Sequence, residues 1–297
     1  MGNFFRSSLF ADLALLSVAV IWGATFVVVK GSLENTPVFS YLFLRFFLAF
    51  LVLLPGLYLR RKALSLELLR GGMLLGVIYF AAFGTQTLGL QSISASLSAF
   101  LTGLYVIFVP FLAWTLFHLT PGRSLFLASL LAALGLWFLT APAENPLSMH
   151  LGTGEYFTLA CALFFALHIL ITDRLTRRYD TWLLVGVQLF TVTLLSAIAS
   201  LLTEPSTLPP VWSRSLLISI AITGILATAY ALFVQTMMQR YTTPTRTAII
   251  FIMEPVSAAL FGVFFAGEHL SALQILGAAL IVGAMLLTEL RGKSASE

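Results

Sequence analysis

The chain has 297 residues, 59% of them hydrophobic and only 9% charged, with a mean hydropathy of +1.00. No soluble globular domain has this composition, so the expected class is an all-α polytopic membrane protein and not a water-soluble enzyme. The net charge of +4 does not point to nucleic acid, because the basic residues sit in short caps between apolar runs, where they act as topology signals.

Ten apolar runs are expected to span, at about 10–30, 38–59, 71–91, 94–117, 124–141, 152–173, 182–203, 214–236, 247–267 and 271–290, each near the twenty residues that a bilayer core requires. The first follows Arg6 and has the outline of a signal peptide. A counterpart later in the chain argues that it is retained. The second contains Arg45. The third opens on Gly72-Met73-Leu74-Leu75-Gly76, a spacing that lets helices approach closely and suggests internal packing. The sixth holds His168 and Cys161, the only cysteine, so an intrachain disulfide is excluded. The connections are short, the longest being 141–150 and 204–213.

The ninth run, 247–267 within the stretch Thr247 to Leu270, carries the least expected pair, Glu254 and Pro255. A carboxylate at this depth costs roughly 2.5–3.5 kcal/mol on insertion scales if it faces lipid, so it is expected to face protein or water. The proline is expected to kink the helix by removing a hydrogen bond, as Pro110 does in the fourth run.

Of the sixteen Lys and Arg residues, thirteen fall in the loops of one side and only Lys30 and Arg214 on the other, with Arg45 inside a span. Both termini are therefore expected in the cytoplasm, with an even number of spans. An internal repeat is also present. Residues 13–30 lie over 156–173 at an offset of 143, which puts Thr25 on His168 and Arg45 on Gln188. Residues 98–110 lie over 247–255 with four residues missing, and 134–140 over 281–288. Each copy has five spans, an odd number, so consecutive copies enter the membrane from opposite sides. Two inverted five-helix repeats, 10–141 and 152–290, are expected, an architecture of secondary transporters that bind substrate between the halves.

The motifs in this order resemble the EamA-like family of the drug/metabolite transporter (DMT) superfamily. They are Trp22-Gly23-Ala24-Thr25-Phe26, Arg45, Ala99-Phe100-Leu101-Thr102-Gly103-Leu104-Tyr105, Glu254-Pro255, Gly267-Glu268 and Leu276-Gly277-Ala278-Ala279-Leu280-Ile281. The resemblance covers about 10 to 290. In one place the pattern is broken: the first copy reads Phe117-His118-Leu119-Thr120-Pro121 where the second has the acidic Glu268. The resemblance implies a gradient-driven inner-membrane carrier of small metabolites, often amino acids and commonly outward, and gives a transport class without a substrate.

Within that frame, Glu254 is expected to exchange a proton or receive an amine, and Arg45 to hold an anionic group. The alternative is that the two pair with each other or with carbonyls and fix the bundle, or that Arg45, about 10 Å from its interface, snorkels to it. His168, Thr25, Gln86 and Gln188 are further candidates, beside Thr87, Tyr230 and Gln235. A midspan histidine can shuttle a proton or simply bond a neighbouring helix. Trp22 and Tyr105 are the aromatic candidates, with Tyr79, Phe83 and Trp137 behind them; an aromatic offers apolar area with a polar edge, though most in so phenylalanine-rich a chain are packing groups. No catalytic motif, Walker loop or metal-ligand spacing occurs, so no enzyme, cofactor or metal is expected. The expected partners are a small-molecule substrate, the bilayer and protons, with the chain a monomer. A channel or membrane receptor with the same span count is the competing reading. The carrier is expected to alternate access around a cavity lined by spans 1, 3, 4, 6, 8 and 9.

Overall fold

The computed structural model describes residues 8–118, 122–140, 152–204, 209, 212–266 and 271–294, and among these there are helices and turns and no strand. The connection 141–150, most of 205–211, Leu119 to Pro121, Arg6 and the Gly267-Glu268 motif lie outside the described residues.

Helix starts follow from capping side chains. Helix α1 is Ser8–Leu33 and α2 is Val38–Arg60, which opens after Pro37. Helix α3, Leu66–Ser92, begins where the Ser65 side chain accepts the Leu68 N–H, and α4, Ala95–Gly103, where Ser94 does the same for Leu97. After α5 (Tyr105–Phe117) and α6 (Arg123–Thr140), Glu155 caps α7 (Thr153–Thr176) through the Gly152 N–H, and Asp180 caps α8 (Thr181–Thr203). Ser213 starts α9, Arg214–Ala221, which passes through a π-helical segment, Ile222–Tyr230, into α10, Ala231–Met238. Thr243 with Pro244 in the first turn starts α11 (Pro244–Phe251), followed by α12 (Met253–Ala266) and α13 (Ala272–Ser294). Each cap satisfies N–H groups that a helix start otherwise leaves open.

Among the described residues seven helical stretches are long and apolar enough to cross a bilayer: α1, α2, α3, the α4–α5 pair, α7, α8 and the α9–α10 run; α6 and α13 contribute shorter apolar stretches. Their outward faces are apolar, with Val27, Leu51, Leu74, Phe111, Leu134 and Leu201 among the exposed large side chains. In water such a surface would aggregate; against acyl chains it is the ordinary solution.

Two faces organise the bundle. At the first, α1, α3 and α11 begin and α2 and α7 end; at the second, α1 and α3 end and α2 and α7 begin. The most extensive helix neighbours are α3 with α7, α6 with α13, α2 with α8, α3 with α8, and α1 with α12. Gly72 and Gly76 explain why α3 sits tight on α8: a Cβ at Gly76 would stand 2.5 Å from Thr191 Cβ, and one at Gly72 2.7 Å from Val187. The expected internal role of this GxxxG spacing is met. Helices α2 and α8 are tied at both faces. The Glu204 carboxylate accepts from Phe39 N, Ser40 N and Ser40 Oγ at 2.6–2.9 Å, and Arg60 pairs with Asp180 at 2.7 Å.

Candidate functional site

Two single-residue interruptions in helices lie beside the site, both in right-handed helical conformation. Leu104 separates α4 from α5, and Ile252 separates α11 from α12. The kink expected at Pro255 therefore takes the form of a break three residues earlier. Pro255 falls in the first turn of α12, where its missing N–H has no intrahelical partner to lose. Pro110 lies inside α5. Tyr105 and Glu254 stand in the first turn after each break, where a carboxylate is favoured by the helix dipole.

Both residues line one cavity. Around it stand Trp22, Thr25, Phe26 and Val29 of α1, Arg45 of α2, and Phe83, Gln86, Thr87 and Leu90 of α3. Thr102, Phe165, Ile169, Gln235 and Phe251 complete it. On α1 and α3 the lining lies in the halves nearer the second face. Span 2 contributes through Arg45, in addition to the six spans expected. The cavity is narrow: the centre of a water molecule can reach about 40 Å³ of it, against the roughly 10–15 Å³ that one water needs. That is room for a few water molecules.

Glu254 is 6% exposed, and among the described residues its carboxylate makes no hydrogen bond or ion pair. A buried, unpaired carboxylate is expensive, so the fold holds it at a cost in stability. Arg45, 3% exposed, is held by two hydrogen bonds to neutral acceptors. Its Nε donates to Thr228 Oγ1 at 2.7 Å and its Nη2 to the Ala227 carbonyl at 3.3 Å, and its guanidinium lies 4.6 Å from the Phe83 ring centroid. The Trp22 indole N–H donates to the same carbonyl at 2.8 Å. A return from π to α geometry skips one backbone carbonyl, and the Ala227 carbonyl, near that return, is where the two side chains land. Snorkelling of Arg45 to the interface is thus overturned, because a nearer acceptor exists inside the bundle. No hydrogen bond or ion pair joins Arg45 to Glu254, although both line the cavity.

Of the residues singled out in the sequence, Glu254, Arg45, Trp22, Thr25, Tyr105 and Gln86 meet at the cavity, joined by Thr87, Gln235 and Phe83, with Gln86 donating to Thr102 Oγ1 at 3.1 Å. His168 and Gln188 do not. Both are 0% exposed and bonded to each other, the Gln188 amide donating to His168 Nε2 at 2.9 Å, with the imidazole 4.6 Å from the Tyr79 ring centroid. Neither is among the residues that line the cavity. Tyr79 and Trp137 are likewise packing groups, and Tyr230 is 41% exposed and bonded to Ser17. Phe165 and Phe251 line the cavity without having been foreseen. For Phe251 a signal existed, since it lies three residues before Glu254 and nearly on its face.

The model of the EamA-like transporter family matches residues 9–141 and 152–290. A protein of Archaeoglobus fulgidus named an uncharacterized transporter is 32% identical over 283 residues, covering 95% of this chain and 87% of that one. A second of the same name and organism is 25% identical, covering 95% and 97%. A solved structure described only as the crystal structure of a protein superposes with a TM-score of 0.78 at 18% identity, over 97% of this chain and 99% of that one, a likeness of fold alone.

Proposed function

The chain belongs to the EamA-like transporter family, and from that premise we propose that this membrane transporter is a secondary carrier built as two inverted five-helix repeats, 10–141 and 152–290. It is a transporter and not an enzyme, with a small-molecule substrate and a multi-pass place in the membrane. In the proposed reading ten spans cross the inner membrane with both termini cytoplasmic, so that the first face is the inner one. The chain works as a monomer and exports an amino acid or a similar small metabolite by alternating access.

Support for the repeats comes from the helix pairings. Exchanging 8–140 with 153–294 turns α3 on α7 into the α9–α10 run on α1, and α1 on α11–α12 into α7 on α4–α5; both members of each exchange are close neighbours. The pairs α2 with α8 and α6 with α13 map onto themselves, as pairs on a two-fold axis do.

One observation carries the functional reading: the unpaired carboxylate of Glu254 at the start of a broken helix, facing a cavity with Arg45 opposite and aromatic walls. A dedicated structural carboxylate would have a partner. One held free among Trp22, Phe83, Tyr105, Phe165 and Phe251 suits a transported ammonium group or a coupling proton. Arg45, hydrogen-bonded to neutral acceptors through two of its five N–H groups, keeps its positive charge for a substrate carboxylate.

The test is counterflow in proteoliposomes with pooled labelled amino acids, with and without a pH gradient. Saturable counterflow that responds to the gradient is expected. Its absence for every amino acid moves the substrate to another metabolite class, and conductance without counterflow favours a channel.

A further inference from the structure

Asp12 and Arg246 form an ion pair between α1 and α11, and neither belongs to the cavity. Both are buried, 7% and 9% exposed. They sit at the starts of their helices, at the first face, whereas the cavity lining on α1 begins ten residues later at Trp22. The same two spans thus cross at Gly23, whose missing side chain lets the Glu254 carbonyl approach, and among the described residues the ion pair between them lies on one side of that crossing.

We infer that the Asp12–Arg246 pair is a one-sided latch that closes the first face and sets the resting state of the transporter open toward the second. Three observations support it beyond the pair itself. The positions that match Asp12 and Arg246 under the internal repeat are Glu155 and Leu97. Leu97 has no charge, and Glu155 is occupied in capping its own helix through the Gly152 N–H at 2.9 Å, so among the described residues the repeat-related positions at the second face form no equivalent pair. The α2–α8 contact, by contrast, is tied at both faces, by Glu204 and by Arg60 with Asp180, which makes it a pivot. Motion about that pivot separates α1 from α11 at the first face, where the latch resists. Parting a buried pair costs more than parting an exposed one. A contact present in one state and absent from its mirror state shifts the population toward the first.

The latch rests on the alternating-access reading, and its test is arranged to fail separately. In a Cys161→Ala background, single cysteines replace Val29, near the second face, and Ala248, buried between Arg246 and Glu254. Their labelling by a membrane-impermeant maleimide is measured from each side in oriented proteoliposomes. With the latch intact, the cysteine at 29 labels from the second face and the cysteine at 248 is protected. Asp12→Asn is expected to raise labelling at 248 from the first face at least tenfold and to slow it at 29, and the exchange Asp12→Arg with Arg246→Asp to restore the native pattern. If Asp12→Asn fails to fold, Arg246→Lys, which loses the guanidinium fork but keeps the charge, is expected to give an intermediate rise. Labelling unaltered in these variants, or a charge exchange that restores nothing, overturns the latch. Counterflow through the native protein is read beside it: a changed labelling pattern with no counterflow sustains the latch and removes the carrier.

Discussion

Gly23 packs so closely on Glu254 that a Cβ at the glycine would stand 2.3 Å from the glutamate carbonyl oxygen and 2.8 Å from Ser257 Cβ. The helix that carries the unpaired carboxylate is therefore held against α1 by backbone contact, and Trp22, the next residue along, meets Phe251 edge to face at 5.0 Å. The position of Glu254 is set by its backbone, with no partner for its side chain.

Gly23→Ala consequently pushes α1 and α12 apart. The expected cost is about 1–3 kcal/mol of stability, as for other overpacked interiors, with loss of transport. Thermal unfolding in detergent and counterflow measured on the same preparation check this. An unchanged midpoint would mean that the two helices are free to separate at that crossing.

For Glu254→Gln, stability and activity are expected to part. Removing an uncompensated buried charge leaves the midpoint of unfolding unchanged or raises it, while counterflow falls and its response to a pH gradient disappears. A variant that transports at the native rate with the native response to the gradient would remove Glu254 from coupling.

Arg45 is expected to serve both the fold and the substrate. Arg45→Ala loses a charge-assisted hydrogen bond to Thr228 and the contact with Phe83, together about 1.5–3 kcal/mol. Beyond that, it should weaken binding of a carboxylate substrate while leaving a decarboxylated analogue unaffected. Equal loss for both compounds would leave the arginine a structural role only.

His168 and Gln188 give a control away from the cavity. Either residue changed alone to leucine leaves a buried polar partner unmatched, at about 1–3 kcal/mol, while both changed together are expected to be nearly neutral. Substrate affinity should be native in all three variants, as measured by competition for counterflow. A changed affinity would bring the pair back into the site.

Much of this was legible in the residues because bilayer thickness imposes a length on every span. Observed boundaries such as Val38–Arg60 and Thr181–Thr203 lie within a residue or two of those expected. The caps Ser65, Ser94, Asp180, Ser213 and Thr243 mark helix starts by simple chemistry. Glu254 and Arg45 stood out because a charge in an apolar run has few explanations. His168 stood out for the same reason, and of its two readings the bond to a neighbouring helix is the one the packing gives: Thr25 faces the cavity, while His168 faces Gln188 and Tyr79. The π-helical segment gave no signal, since Ile222 to Tyr230 reads as an ordinary apolar stretch.

By itself the sequence determined the class of the protein, the extent of its helices and the presence of two costly charges, all consequences of transferring a chain into a medium without water. Only the tertiary structure decided how each helix is turned. In a soluble protein the polar face of a helix reports its rotation. Here lipid and protein interior are both apolar, so the usual stripe is absent. Which of Thr25, His168 and Gln188 meets the cavity, where Arg45 finds its acceptor, and that Asp12 reaches Arg246 across 234 positions of sequence are settled by packing between helices.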